Sequence, residues 1–237
     1  MSGLPLLSVE SLSKRYGARI GCADVSFDLE PGEVLAVVGE SGSGKSTLLS
    51  CLATELMPDS GRVLYRGKDG EARDILALGE AERRLLLRTE WGFIRQDAAQ
   101  GLRMSVSAGG NVGERLMAVG ARHYGRIRAT AQDWLGRVEI GADRMDDTPR
   151  AFSGGMRQRL QIARNLVTHP RLVLMDEPTA SLDARNRAVV VEMIRRKAAA
   201  GVAMIGIFHD EDVRDAVASR VVDVTRFSAS QPQADAA

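Results

Sequence analysis

A glycine-rich loop between an apolar strand and an apolar helix restricts this chain to few folds. Residues 39–46 read Gly-Glu-Ser-Gly-Ser-Gly-Lys-Ser and fit the pattern G-x-x-x-x-G-K-S/T without a mismatch. Residues 33–38 are largely apolar, which predicts a buried strand before the loop. The segment after the loop has one apolar face, as a packed helix does, made by Leu48, Leu49, Leu52, Ala53 and Leu56. This order predicts an α/β fold with a phosphate-binding loop between a strand and a helix.

The residue types in this loop suit a bound nucleotide. Gly39, Gly42 and Gly44 allow positive φ and let the backbone approach an anion closely. Consecutive N–H groups then form a concave anion site, backed by the N-terminus of the next helix. Lys45 places a positive charge on the β and γ phosphates, and Ser46 can offer its hydroxyl to Mg²⁺. The predicted nucleotide-binding residues are Gly39, Glu40, Ser41, Gly42, Ser43, Gly44, Lys45, Ser46 and Thr47.

Two carboxylates follow a second apolar strand, predicted over residues 171–175. A carboxylate at the carboxyl end of a parallel strand faces the crevice where ligands bind. Asp176 therefore suits an outer-shell role on the waters of Mg²⁺, and Glu177 is placed to orient and deprotonate an attacking water. His209 ends another apolar run, residues 202–208, and so reaches the same edge of the sheet, where it can contact the γ phosphate and hold Glu177. The sequence predicts a nucleotide hydrolase whose catalytic residues are Glu177 and His209.

The remaining segments predict an antiparallel layer and several helices. Residues 6–12 and 24–30 alternate apolar and polar side chains, as half-buried antiparallel strands do, and residues 62–66 are expected to join them. Residues 68–74 are polar and contain glycine, which predicts a loop. The predicted helices cover residues 80–88, 111–120, 126–138, 157–167 and 185–200.

Further motifs complete a pattern that is typical of one family. Gln96 follows a short apolar run, and residues 153–155 read Ser-Gly-Gly at the start of a basic helix. Ser181-Leu-Asp183 comes after the two carboxylates, and Tyr16 stands in Lys-Arg-Tyr-Gly. With all of these motifs in order, the chain resembles the ATP-binding cassette (ABC) ATPases over about residues 6–225.

The resemblance implies the fold of that family, a P-loop NTPase core with an antiparallel β layer and an inserted α-helical subdomain. The subdomain is expected at about residues 98–165, within a single ABC ATPase domain over residues 1–225. Residues 226–237 are small and polar, and we expect them to form a disordered tail.

The resemblance also implies ATP and Mg²⁺ as ligands and gives further residues a role. Tyr16 matches the aromatic residue that stacks on adenine, and Gln96 matches the glutamine that ligates magnesium and senses the partner. The signature segment, which binds the γ phosphate held by the other subunit, is matched by Ser153, Gly154 and Gly155. Ser181 and Asp183 match the loop that crosses the dimer interface. The family usually has Gln where Met156 stands, so one polar contact differs.

Three segments resemble a narrower group, the K-type ATP-binding subunit of the bacterial carbon–phosphorus lyase system for phosphonate utilisation. They are residues 88–92, 106–117 and 120–125. This likeness runs over about residues 6–174, whereas residues 177–186 and 206–211 are similar to the sister L-type subunit. The resemblance implies a second ABC subunit, either a second copy or a sister subunit, and carbon–phosphorus lyase core subunits as partners. The alternative is the ATP-binding subunit of a phosphonate or peptide importer that docks on a membrane permease.

Charge and hydropathy limit the other partners. The chain has 32 basic and 31 acidic residues and a net charge of +1, so no basic excess points to nucleic acid. The sequence contains no signal peptide and no apolar run of about 18 residues. We therefore expect a protein of the cytoplasm, or one peripheral at the inner membrane, with no nucleic-acid partner.

Overall fold

Two β-sheets form the framework of the structure, a computed structural model that describes residues 4–225. The strands of the first sheet are β1 (Leu7–Tyr16), β2 (Arg19–Leu29), β4 (Ser60–Arg66) and β5 (Ala72–Asp74). They are antiparallel, in the order β2-β1-β4-β5, as the alternating pattern predicts. The tail predicted at residues 226–237 lies outside the described residues.

The second sheet is parallel. Its strands are β3 (Val34–Val38), β6 (Trp91–Ile94), β7 (Leu172–Asp176), β8 (Ala203–Ile207) and β9 (Arg220–Asp223). Their order is β6-β7-β8-β3-β9. Because β3, β8 and β7 are neighbours and parallel, their carboxyl ends meet at one edge of the sheet. The phosphate-binding loop, the two carboxylates and His209 therefore all emerge at this edge.

Eight α-helices connect these strands within the described residues. They are α1 (Lys45–Leu52), α2 (Glu80–Glu90), α3 (Ala98–Gly101), α4 (Ala108–Ala118), α5 (Tyr124–Arg137), α6 (Gly154–Leu166), α7 (Ala184–Ala199) and α8 (Glu211–Val217). Short 3₁₀ turns at Ala142–Arg144 and Pro149–Ala151 lie between α5 and α6. Helices α3 to α6 thus occupy the region in which an inserted helical part is expected.

Both faces of the parallel sheet are covered, and β7 shows this clearly. Leu172 and Leu174 belong to a core shared with α1 and the antiparallel layer, whereas Val173 and Met175 belong to a core under the other helices. Each of these four residues is buried, which explains why the strand is a continuous apolar run in the sequence.

Helix α1 is shorter than its apolar pattern predicts. It ends at Leu52, because Thr54 takes a φ of 57° and the N–H groups of Glu55 and Leu56 return to the carbonyl of Ser50. Leu56 still packs against the core, so its apolar side chain reflects burial in the turn after the helix.

The prediction of a loop over residues 68–74 is wrong for residues 72–74. Residues 72–74 form β5, which pairs with β4. The Gly67 N–H donates to the Glu71 carbonyl at 3.0 Å, and the Gly70 N–H donates to the Gly67 carbonyl at 3.0 Å. These two bonds close a tight hairpin, which leaves only residues 67–71 for the loop.

Candidate nucleotide site

The loop between β3 and α1 forms a backbone cradle. Its three glycines have positive φ, 148° at Gly39, 80° at Gly42 and 96° at Gly44. A Cβ atom on Gly44 would lie 1.5 Å from the Gly21 carbonyl oxygen, so the loop packs directly on β2. Lys45 Nζ donates to the carbonyls of Gly39 at 2.7 Å and Glu40 at 2.8 Å. The ammonium group is therefore held at the loop, where it can meet an anion.

A buried hydroxyl in this loop lacks a partner. Ser43 Oγ is buried, and within the described residues it makes no hydrogen bond. A Cβ atom on Gly39 would lie 2.6 Å from this oxygen, so only glycine fits at this position of the loop. A buried polar group without a partner is rare in proteins. The cradle and the free hydroxyl together fit a phosphate group.

A cavity of about 560 Å³ opens beside the loop. Its lining residues come from β1, β2, the loop and the start of α1, and are Tyr16, Arg19, Ile20, Gly21, Gly42, Gly44, Lys45, Ser46 and Thr47. The volume is within the range of about 300–1,000 Å³ that is typical of small-molecule sites. Tyr16, predicted to stack on adenine, is half exposed at the end of β1 and lines this cavity.

Sequence reasoning missed the opposite wall of the cavity, Arg19 to Gly21. Tyr16 pairs with Arg19, and Arg15 with Ile20, across the β1–β2 hairpin. The turn at Gly17 could have indicated this wall, because an antiparallel hairpin at that turn brings the first residues of β2 beside Tyr16.

Glu177 is held between two of the predicted site residues. Gln96 Nε2 donates to Glu177 Oε2 at 3.0 Å, and His209 Nε2 lies 2.7 Å from Glu177 Oε1. The Glu177 side chain is 14% exposed and that of His209 is 69% exposed. One carboxylate thus connects the ends of β6, β7 and β8, with a histidine that is open to a ligand.

The backbone of Glu177 is strained. Its φ is 48°, a left-handed conformation that is uncommon for any residue other than glycine. The Glu177 N–H donates to the Ile207 carbonyl at 3.1 Å, so the sheet itself holds this conformation. Such strain costs about 1–3 kcal/mol and is concentrated at functional sites.

Asp176, predicted to act on magnesium through water, lies beside Glu177. Burial raises the pKa of Asp176 above its ordinary value, and the charge of Glu177 raises it further, against the opposing effect of His209. A bound cation would favour the charged form of this carboxyl and so reverse the effect. Ser46 is exposed at the start of α1, which follows β3 at the same edge of the sheet. Together with Gln96, these residues supply the oxygen donors that Mg²⁺ prefers.

The signature segment and the predicted interface loop share a groove on the surface. The groove has a volume of about 310 Å³ and is lined by Gln96, Asp97, Ala98, Ala99, Gly154, Arg157, Gln158 and Ser181. A Cβ atom on Gly155 would lie 3.4 Å from the Ser181 carbonyl oxygen, so the two segments are in direct contact. The structure therefore brings Gln96, the signature segment and Ser181 together on one face.

Two of these residues cap helices. Ser153 Oγ accepts from the Met156 N–H at 3.2 Å, which begins α6. Asp183 Oδ1 accepts from the Asn186 N–H at 2.8 Å, which begins α7 and, with the Asn186 side chain, holds the pKa of Asp183 below its ordinary value. Both caps are exposed, so two helix N-termini lie at the surface, where anions are favoured.

Glycine substitutions test the cradle without removing a side chain. We expect Gly44→Ala to weaken nucleotide binding by on the order of tenfold or more, because the new methyl group overlaps the Gly21 carbonyl and displaces the loop. Gly70→Ala is the matched control, since Gly70 also has positive φ and has open space around it but lies in the hairpin between β4 and β5, outside the lining of the cavity. Titration with a fluorescent nucleotide compares the two. Equal affinities in both variants would contradict a binding role for the packed half of the loop.

Comparisons with known proteins also indicate a nucleotide-binding protein. The family described as ABC transporter matches residues 22–180. The chain is 55% identical over 219 residues to the putative phosphonates utilization ATP-binding protein PhnK of Escherichia coli, which covers 92% of this chain and 85% of that protein. An alignment of that length extends past residue 174, where the motifs place the end of the K-type likeness. No helix within residues 4–225 is long and apolar enough to cross a membrane.

Two further relatives extend the comparison. A putative peptide import ATP-binding protein of Brucella abortus is 32% identical over 234 residues, covering 94% of this chain and 69% of that protein. Among solved structures, the ATP-binding cassette MJ0796, a dimer in a post-hydrolysis state bound to ADP and Pi, is similar with a TM-score of 0.81 and 26% identity. That likeness covers 92% of this chain and 94% of the other.

Proposed function

Since this chain belongs to the ABC transporter family, we propose that it is the ATP-binding and ATP-hydrolysing subunit that drives conformational change in the carbon–phosphorus lyase system of phosphonate utilisation. The 55% identity to a phosphonate utilization protein supports the choice of system. The contact of Glu177 with both Gln96 and His209, at the sheet edge that carries the phosphate-binding loop, supports hydrolysis.

The substrate in this proposal is ATP, and each part of the site acts on a different part of it. Tyr16 stacks on the adenine, while the cradle and Lys45 hold the phosphates. Glu177 orients a water and takes its proton as that water attacks the γ phosphorus. His209 fixes the carboxylate by its 2.7 Å contact and contacts the γ phosphate with its exposed side. ADP and phosphate are the products.

The oxygen-rich donor set described above fits a magnesium ion. Ser46 and Gln96 would hold it directly, and Asp176 would hold it through water. When bound, the ion neutralises charge on the β and γ phosphates.

A second ABC subunit completes the site. The similar cassette MJ0796 is a dimer, which supports such a partner for this chain. In the proposed arrangement the exposed signature segment of one subunit faces the cradle of the other, and Ser181 and Asp183 lie across the seam. ATP closes the pair and hydrolysis reopens it. The partner is a second copy of this chain or a sister subunit.

An importer is the second candidate function. It is favoured by the 32% identity to a peptide import ATP-binding protein over 94% of this chain. In that case the partner is a membrane permease rather than lyase core subunits, while the chemistry at Glu177 stays the same. Both candidates place the subunit in the cytoplasm or peripherally at the inner membrane.

Affinity purification separates the two candidates. We expect tagged Glu177→Gln protein, purified with Mg-ATP from cells grown on a phosphonate as the phosphorus source, to carry lyase core subunits. Protein from cells grown on phosphate is the control. Recovery of a permease would support the importer instead, and recovery of neither would contradict the proposed partners.

A further inference from the structure

Helix α6 satisfies the free edge of the parallel sheet with amide side chains. Strand β6 lies at the end of the sheet order, so one of its sides has no strand partner among the described residues. On that side the Phe93 N–H donates to Asn165 Oδ1 at 3.0 Å, and the Arg95 N–H donates to Gln161 Oε1 at 2.7 Å. Gln161 Nε2 returns a bond to the Arg95 carbonyl at 3.0 Å. The two N–H groups are two residues apart, which is the spacing of groups on one side of a strand.

These amides form a buried, hydrogen-bonded set, which we call the amide ladder: Gln158, Gln161 and Asn165. Their exposed fractions are 1%, 0% and 7%. Gln161 Nε2 also donates to Gln158 Oε1 at 3.3 Å, and Asn165 Nδ2 donates to the Gln161 carbonyl at 2.9 Å. Hydrogen-bonded networks of buried polar groups rigidify their surroundings. The ladder therefore fixes α6 against the last residues of β6.

The ladder ends next to the hydrolytic residues. Arg95, which Gln161 holds by both its N–H and its carbonyl, directly precedes Gln96. Gln158 Nε2 donates to the Arg95 carbonyl at 3.3 Å and to the Pro178 carbonyl at 3.2 Å. Pro178 directly follows Glu177. One helix thus holds the chain on both sides of the Gln96–Glu177 contact.

We propose that Gln161 is a positioning residue for hydrolysis: it holds the Arg95 peptide and thereby sets Gln96 against Glu177. The inference rests on the proposed function, since it concerns the same reaction. Helix α6 begins at the signature segment, the part expected to meet the nucleotide of the second subunit. When the signature segment meets the nucleotide of the second subunit, a shift of α6 is transmitted through Gln161 to Gln96. Contact with the partner subunit thereby acts on the Glu177 carboxylate.

The first test removes the peptide contacts at nearly constant volume. Gln161→Met is expected to lower kcat by on the order of tenfold, because Gln96 is no longer fixed. The KM for ATP and the affinity for a fluorescent nucleotide are expected to change less than about twofold, since the cradle is untouched. Because Gln96 is a proposed magnesium donor, the Mg²⁺ concentration for half-maximal rate is expected to rise.

A double-mutant cycle shows whether the effect passes through Gln96. In a Gln96→Ala background, Gln161→Met is expected to lower kcat by less than about twofold, because the residue it positions is gone. Asn165→Leu is the matched control. It also leaves a buried strand N–H unpaired, at Phe93, but acts two residues farther from Gln96. It is expected to lower the melting temperature as Gln161→Met does and to retain kcat within about twofold.

A second variant covers the case in which Gln161→Met does not fold. A Cβ atom on Gly101 would lie 2.1 Å from Gln161 Oε1, so Gly101→Ala displaces the amide while leaving it in the chain. It is expected to lower kcat in the same direction as Gln161→Met. An unchanged kcat in the variants that fold, losses equal to those of Asn165→Leu, or full additivity with Gln96→Ala would each overturn the inference. Wild-type protein without ATP hydrolysis would overturn the proposed function and this inference with it.

Discussion

Glu177→Gln is expected to retain ATP binding and to lower turnover by a factor on the order of 10² or more, because the site loses its general base. The substitution preserves volume, and the new amide oxygen can still accept from Gln96, so the contact with Gln96 persists. ATP should then remain between the two subunits and hold them closed. Phosphate release, a nucleotide titration, and light scattering with and without Mg-ATP measure the three parts of this result.

Glu211→Gln is the control for this variant. Glu211 lies in the first turn of α8, two residues after His209, and its side chain is 80% exposed. Its turnover should equal that of the wild type. If purified Glu177→Gln protein hydrolysed ATP at the wild-type rate, Glu177 could not be the base, and a different group at this edge of the sheet would have to activate the water.

Lys45→Ala should raise the dissociation constant for ATP by roughly 10- to 100-fold, the range that follows from losing about 1.5–3 kcal/mol of hydrogen bonding to a charged group. Lys45 is the side-chain cation of the loop, and its ammonium group already lies against the loop carbonyls of Gly39 and Glu40. Hydrolysis by the wild type should also require Mg²⁺. A fluorescent nucleotide titration and a magnesium dependence of the rate measure these two expectations.

Lys68→Ala controls for the loss of a positive charge. Lys68 is exposed in the hairpin between β4 and β5, away from the lining of the nucleotide cavity. Its affinity for nucleotide should match that of the wild type. Equal affinity in Lys45→Ala protein would show that the loop does not bind phosphate through this side chain, and the assignment of the site would fail.

The parts of the site that were predictable from the sequence are those where residue type and strand order carry the chemistry. Glu177 and His209 follow apolar runs, and parallel strands bring such ends together, so their 2.7 Å contact was expected. The cavity wall formed by Arg19 to Gly21 was not, because it depends on the register of the β1–β2 hairpin rather than on any residue type. Turn geometry sets that register, and the strands predicted from alternation stop at residues 12 and 24, short of the turn, whereas β1 ends at Tyr16 and β2 begins at Arg19.

The amide ladder was hidden for a different reason. In a helix read only by its apolar face, Gln161 and Asn165 look like polar surface residues, yet they are 0% and 7% exposed. Their burial depends on an unpaired strand edge that lies more than 60 residues away in the chain. Strand β9 poses a similar problem, since two of its four residues are exposed and two are half-buried, and it exists as a strand only by pairing with β3.

The left-handed backbone at Glu177 sets two selective pressures against each other. Glycine would accept this conformation without strain, so a lineage that no longer needed turnover would gain stability by losing the carboxylate. Descendants that still hydrolyse ATP must keep a residue whose backbone is strained at this position. Among diverging copies of such a gene, we therefore expect the identity of residue 177 to distinguish the proteins that hydrolyse ATP from those that only bind it.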